Sequence, residues 1–207
     1  MSSWQYAFLF PQLPSQLRPA NAVKRLTEFG ADFDGSIRMC VPVDDQGHVL
    51  DVGDEIALRE PFERDLIRHL EIGKSFSIQL RHPDLVISAE FLLDAPNPHI
   101  SLGWSRRLFK ESPLMIQRDF WRVLRSFAKD CNAGYVVIVD DAPDHFEDRF
   151  IDIDGKRMFD LRLNHRYELG LREVWLQSSV TSTLPEGATY GDSEQLGDGF
   201  ERYFVTM

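Results

Sequence analysis

Cysteine is scarce: the 207-residue chain has two, Cys40 and Cys131. No Cys-x-x-Cys pair exists, which excludes a zinc ribbon and a thioredoxin-type site. The six histidines never stand at i, i+4, so no helical zinc pair is present. A Gly-x-Ser-x-Gly elbow, a P-loop and a Gly-x-Gly-x-x-Gly turn are also missing. No run approaches the roughly 20 apolar residues that a spanning helix needs. No internal repeat or Pro/Gly/Ser linker divides the chain. Positive charge is in deficit as well. Lys and Arg number 23 against 33 Asp and Glu, a net charge of −10, the wrong sign for coating nucleic acid or an anionic membrane.

What remains is a folding composition. At 43% hydrophobic and 12% aromatic the chain is no disordered acidic tail. Its length buries roughly 70% of the unfolded surface, enough to fold without disulfide or metal. Cys40 and Cys131 lie in apolar patterns and read as core thiols. The apolar segment Trp4–Phe10 has no Lys or Arg before it and meets Pro11 and Pro14, so it reads as a strand, not a signal sequence. A soluble cytoplasmic protein is expected, with no cofactor.

The pattern predicts an α+β fold with a mainly antiparallel sheet and about three helices, at 20–29, 61–72 and 113–131. Pro19 and Gly30, and Pro61 and Gly73, bracket the first two. Ser112 is expected to cap the third, with Pro113 in its first turn. Strands are expected at 36–43 and 48–52, the first at an edge because of Pro42. A meander follows over 75–105. Its middle strand, Leu85–Leu93, reads as apolar on nearly both faces and therefore covered on both. Tyr135–Val139 reads as a central strand and Pro143–Phe150 as one or two helical turns. A hairpin over 150–163 has Asp154-Gly155 at its tip. A strand at 173–178, a loop at 181–199 and a closing strand at 200–205 complete the chain. All 207 residues read as one domain, with 104–112 the only candidate boundary. Trp104, Trp121 and Trp175 fall on apolar faces, and Trp4 is expected to be partly exposed.

Charge is segregated along the chain. Glu28 to Glu71 holds 12 acids and 4 bases, Asp130 to Asp160 holds 9 and 3, and Leu184 to Glu201 holds five acids and no base. Between them, Trp104 to Lys129 holds 7 bases and 2 acids. Arg118, Arg122, Arg125 and Lys129 recur at helical spacing and form one stripe. That stripe is either a solvated face pairing with neighbouring acids or a docking surface for an acidic partner, which would make the chain an adaptor working through helix 118–129.

Asp140, Asp141, Asp144, Glu147 and Asp148 crowd the carboxyl end of the predicted central strand. They are candidate partner-binding groups, as are Arg118, Arg122 and Arg125. The acids over 140–154 also allow a metal-dependent hydrolase or nuclease, with Asp144 and Asp154 as metal ligands. Pro143-Asp144 followed by Asp154-Gly155-Lys156 resembles the Pro-Asp…Asp-x-Lys pattern of metal-dependent nucleases. In that family two acids hold the metal and the Lys positions water, which would nominate Asp144, Asp154 and Lys156. A hairpin tip at Asp154 and the acidic surroundings speak against it. An EF-hand begun at Asp152 is excluded, because its sixth and twelfth positions hold Arg157 and Leu163.

The meander Phe76–Trp104, the helix Phe120–Cys131 and Tyr135–Asp141 with its acidic sequel resemble the acidic α+β immunity proteins that bacteria pair with toxic effectors. The resemblance implies a non-catalytic inhibitor whose partner is another protein, a basic toxin domain covered by charge complementarity. Nucleic acid and membrane are not expected partners.

Overall fold

A computed structural model describes residues 4–11, 14–29, 32–33, 35–42, 49–50, 53–82, 85–94, 98–140, 150–153, 156–159, 170–178, 184 and 189–206. The strands are β1 (Trp4–Phe10), β2 (Asp32–Phe33), β3 (Ser36–Met39), β4 (Val41–Pro42), β5 (Val49–Leu50), β6 (Glu55–Ala57), β7 (Phe76–Arg81), β8 (Val86–Leu92), β9 (His99–Ser105), β10 (Tyr135–Asp140), β11 (Phe150–Ile153), β12 (Lys156–Phe159), β13 (Gly170–Gln177), β14 (Thr189–Gln195) and β15 (Phe200–Thr206). The α-helices are α1 (Val23–Phe29), α2 (Phe62–Ile72), α3 (Arg106–Glu111) and α4 (Leu114–Asp130).

An eleven-stranded sheet runs β14-β15-β13-β10-β1-β9-β8-β7-β3-β6, with β2 beside β7. Its ladders are antiparallel, and the fold is α+β. The first strand lies in the middle, between β9 and β10. Trp4–Phe10 can sit there because it is apolar on both faces: Ala7 and Leu9 point one way, Phe8 and Phe10 the other. Tyr135–Asp140 is buried at every position and is internal, as its unbroken apolar run predicts.

The helices cover one face. Phe120, Val123, Leu124 and Phe127 of α4 and Val23, Leu26 and Phe29 of α1 are buried in the same core as Ala89, Leu102 and Trp104 of the sheet. Phe29 meets Phe120 and Phe127 edge-on at 5.6 Å, and Trp104 lies 4.8 Å from Phe120. Each such buried ring contributes about 2–3 kcal/mol of transfer free energy. Trp104 and Trp175 are fully buried, while Trp121 and Trp4 are partly so. Both cysteines are buried, and they are not joined in a disulfide. Among the described residues no helix is long and apolar enough to cross a membrane.

Five expectations change. The middle meander strand is one-sided: Ile87, Ala89 and Phe91 are buried, whereas Val86 is exposed and Ser88 and Glu90 are half-buried. Apolar residues at the strand ends gave it a two-sided look. Within the meander, the strand buried throughout is β9. The run 36–43 is divided, since β3 lies inside the sheet between β6 and β7, and Pro42 sits in a separate two-stranded ribbon with β5. A six-residue helix, α3, adds to the three expected helices. Ser112 does not cap α4; its hydroxyl donates to the Phe109 carbonyl at 2.7 Å and closes α3, and Pro113 takes the cap position. The region 181–199 contains β14, an edge strand. Hairpin β11–β12 forms, with Ile153 paired to Lys156. The turn expected at Asp154-Gly155 lies outside the described residues, as do the helical turns expected over Pro143–Phe150 except for Phe150, which opens β11.

The second face of the sheet has two characters. Cross-strand register lines up Glu55, Arg38, Ser77, Glu90, Ser101, Phe8, Val137, Val174 and Tyr203 in one row. From β6 to β9 the row is charged or hydroxylic. From β1 to β15 it is apolar or aromatic. The Trp4, Tyr6, Phe8 and Phe10 rings, 6.1–6.4 Å apart, form a ladder along β1 at the change.

Candidate partner-binding site

Asp140 ends the central strand, and its side chain is 7% exposed. Burying a lone carboxylate costs several kcal/mol, so it must be paired. Its neighbours on β13, β1 and α3 supply the partners. Arg172 donates from Nε at 2.7 Å and approaches with its terminal nitrogen at 2.6 Å. Arg106, the first residue of α3, reaches the same oxygen at 3.0 Å, and Gln5 Nε2 donates to the other at 3.0 Å. The Gln5 carbonyl oxygen accepts from Trp104 Nε1 at 3.1 Å, which ties the cluster to the core. Asp140 is therefore the hub of an internal ion-pair network at the point where the acidic sequence begins. Asp141, Asp144, Glu147, Asp148 and Asp154 lie outside the described residues. Lys156 opens β12. Among the described residues no group of three or more His, Cys, Asp or Glu is placed to hold a metal ion.

The basic stripe meets the chain's own acids. Arg122 lies 3.5 Å from Asp119 and 3.9 Å from Glu28, and Lys129 lies 3.5 Å from Asp198. Asp198 also accepts from Ser126 at 3.2 Å. Arg125 is half-buried, its Nε 3.9 Å from where a Cβ on Gly197 would stand. Arg118 is exposed. Beside the stripe, Arg25 of α1 bridges Glu28 at 2.7 Å and Asp130 at 2.8 Å, and both acids raise its pKa. Two of the stripe's four bases, Arg122 and Lys129, thus meet acids of the same chain, while Arg125 Nε is buried with no hydrogen-bond partner among the described residues. Pairs of this exposure are individually worth under about 1 kcal/mol.

The polar half of the sheet's second face forms a depression of about 110 Å³ lined by Ser36, Arg38, Glu55, Ser77, Gln79 and Glu90, among others. Two further depressions, of about 280 and 180 Å³, share His82 and Leu85 beside α3 and α4. All three fall below the roughly 300 Å³ at which enclosed small-molecule pockets begin. Both sheet edges carry acids: Glu55 on β6, and exposed Asp192 and Glu194 on β14, whose register shifts between Tyr190 and Ser193. Charges and a bulge discourage a further strand from adding there.

Sequence reading did not find Glu55, Arg38 and Glu90 as a row, or Arg172 and Gln5 as partners of Asp140. The alternation of Phe76–Arg81 placed Ser77 and Gln79 on a polar face, but only register shows what stands beside them.

No family model matches the chain, and no curated protein does. A solved T6SS protein from Pseudomonas aeruginosa matches at a TM-score of 0.36 and 10% identity, over 72% of this chain and 44% of that one. The chain thus spans less than half the length of that protein.

Proposed function

We propose that the protein is a non-catalytic inhibitor that neutralises a basic protein partner, in the manner of immunity proteins paired with toxic effectors. The observation that supports this reading is the segregation of charge along the sequence: Glu28 to Glu71 holds 12 acids and 4 bases and Asp130 to Asp160 holds 9 and 3, in a chain of net charge −10. Acidic surface speeds encounter with a cationic one, and close charge pairs at an interface are worth about 1.5–7 kcal/mol. The Asp140 hub fixes the end of β10, where the acid-rich sequence begins.

The test is capture and rescue. The protein is immobilised with lysate of its source cells at 50 mM salt, and bound protein is eluted at 500 mM and identified. The expected result is a basic protein that arrests growth when expressed alone in a heterologous host and no longer does so when this chain is co-expressed. An eluted partner that arrests growth regardless of the chain would overturn the reading, as would a partner that stays bound at 500 mM salt.

A further inference from the structure

Five large apolar side chains among the described residues are exposed, and two of them are adjacent. Leu114 and Met115, the first two residues of α4, are each 70% exposed. The buried face of α4 is Phe120, Val123, Leu124, Phe127 and Ala128, so the pair stands outside it. Apolar surface continues past the pair. Pro113, Leu85, Leu108 and half-exposed Val86 line the hollow of about 280 Å³, which is ample for an aliphatic side chain. The corner that presents the pair is braced. Ser112 N donates to the Leu108 carbonyl at 2.9 Å, Gln117 N to the Pro113 carbonyl at 3.1 Å, and Gln117 Nε2 to the Ser112 carbonyl at 2.8 Å. Covering a corner so fixed costs little ordering entropy.

The charges about the pair are antisymmetric. Lys110 and Glu111 precede Leu114 by four and three residues, and Arg118 and Asp119 follow Met115 by three and four. All four are exposed. Reversal about the midpoint of the pair sets Lys110 opposite Asp119 and Glu111 opposite Arg118, a base against an acid each time. A two-fold axis performs that reversal, because in an isologous interface residue i meets j of the other copy and j meets i.

We infer that this corner is the centre of a two-fold interface between two copies of this chain. Leu114 and Met115 pack on their counterparts at the axis, and Lys110 and Arg118 of each copy face Asp119 and Glu111 of the other. A surface of uniform sign, an anionic membrane included, meets like charge at two of the four positions, whereas the same corner reversed meets opposite charge at all four. The apolar centre is smaller than that of a standard interface, so the dissociation constant is on the order of 100 µM. This pairing does not depend on the inhibitor reading, which growth rescue tests separately.

Sedimentation velocity of the full chain from 5 to 500 µM at 150 mM salt is the test. Beside the wild type run Leu114→Asp, Arg118→Glu and the double variant Arg118→Glu, Glu111→Arg. All three positions are exposed, Asp is favoured in a first helical turn, and circular dichroism reports that each variant is folded. The expected result is a monomer–dimer equilibrium for the wild type and no dimer for Leu114→Asp. Arg118→Glu should associate about tenfold more weakly, because a two-fold dimer carries each change twice. The double variant, with the charges exchanged, should return to within about threefold of the wild type. A wild type that stays monomeric at 500 µM would overturn the interface, and co-sedimentation of that monomer with vesicles of anionic lipid would name a membrane surface as what covers the corner. A dimer that Leu114→Asp leaves intact, or that the exchanged charges do not restore, would overturn it as well.

Discussion

The two halves of the sheet's second face share one hydrogen-bond register but differ in what their side chains require. On β1, β10 and β13 the row holds Phe8, Val137 and Val174, all buried. On β6, β3 and β7 it holds Glu55 and Arg38, both exposed, and half-buried Ser77. The backbone is indifferent to this change, since antiparallel ladders accept either. The side chains are not. The apolar half is stabilised by removal from water, while the polar half has its groups paired across strands and stays wet. Stability should therefore reside mainly in the apolar half.

The sharpest way to break that division is to place a charge at matched positions. Val139 and Gln79 belong to one row, through Tyr6, Gly103 and Ser88. Val139→Asp should cost about 4 kcal/mol or more and leave little folded protein. Gln79→Asp should stay within about 0.5 kcal/mol. Urea unfolding followed by tryptophan fluorescence measures both, and equal costs would erase the distinction.

Next in size is the junction where the apolar half meets charge. Asp140→Ala leaves Arg106 and Arg172 without their shared carboxylate. The expected loss is about 2–3 kcal/mol, toward the low end for a broken buried pair, because both guanidiniums can turn to water. Gly103→Ala probes the seam itself. The added methyl meets the Tyr6 ring, and the expected cost is about 1–2 kcal/mol, relieved in a Tyr6→Ala background.

A smaller effect tests the far end of the polar half. Burial tends to raise the Asp94 carboxyl, but hydrogen bonds from the Ser75 hydroxyl and backbone N–H, with Lys74 at 3.3 Å, hold it below its ordinary value. A depressed pKa contributes stability above the unfolded value near 3.8, which is lost as pH falls through the lower native value. Asp94→Asn should therefore cost about 1 kcal/mol at pH 7 and nearly nothing at the acid end of that window. Thermal melts of both forms from pH 7 to pH 3 measure it, and a difference that does not shrink would contradict the assignment. Least of all should change on alkylation. Burial, with Asp130 nearby, pushes the Cys131 thiol well up, so iodoacetamide should leave it unmodified until denaturant is added.

Much of this fold was legible in the sequence. Periodicity located α1, α2, α4, the meander and the central strand, because each has a core face to announce it. β14 escaped because Thr189–Gln195 is an exposed edge made of glycine, acids and polar residues, which reads as loop. α3 escaped because six residues give too little period. The site was less legible for another reason. Asp140 was visible as an acid at a strand end, but its partners Gln5, Arg106 and Arg172 stand 135, 34 and 32 positions away and meet it only through the sheet. The basic stripe was visible as a pattern, yet the acids that meet it, Glu28 and Asp198, come from opposite ends of the chain.

The central claim is recognition of a basic partner by charge complementarity. Its most direct measurement is the dissociation constant of the captured partner at 50, 150 and 500 mM salt. The account predicts a fall in affinity of at least about a hundredfold across that range, carried mainly by slower association at high salt. An affinity that does not change with salt would contradict it.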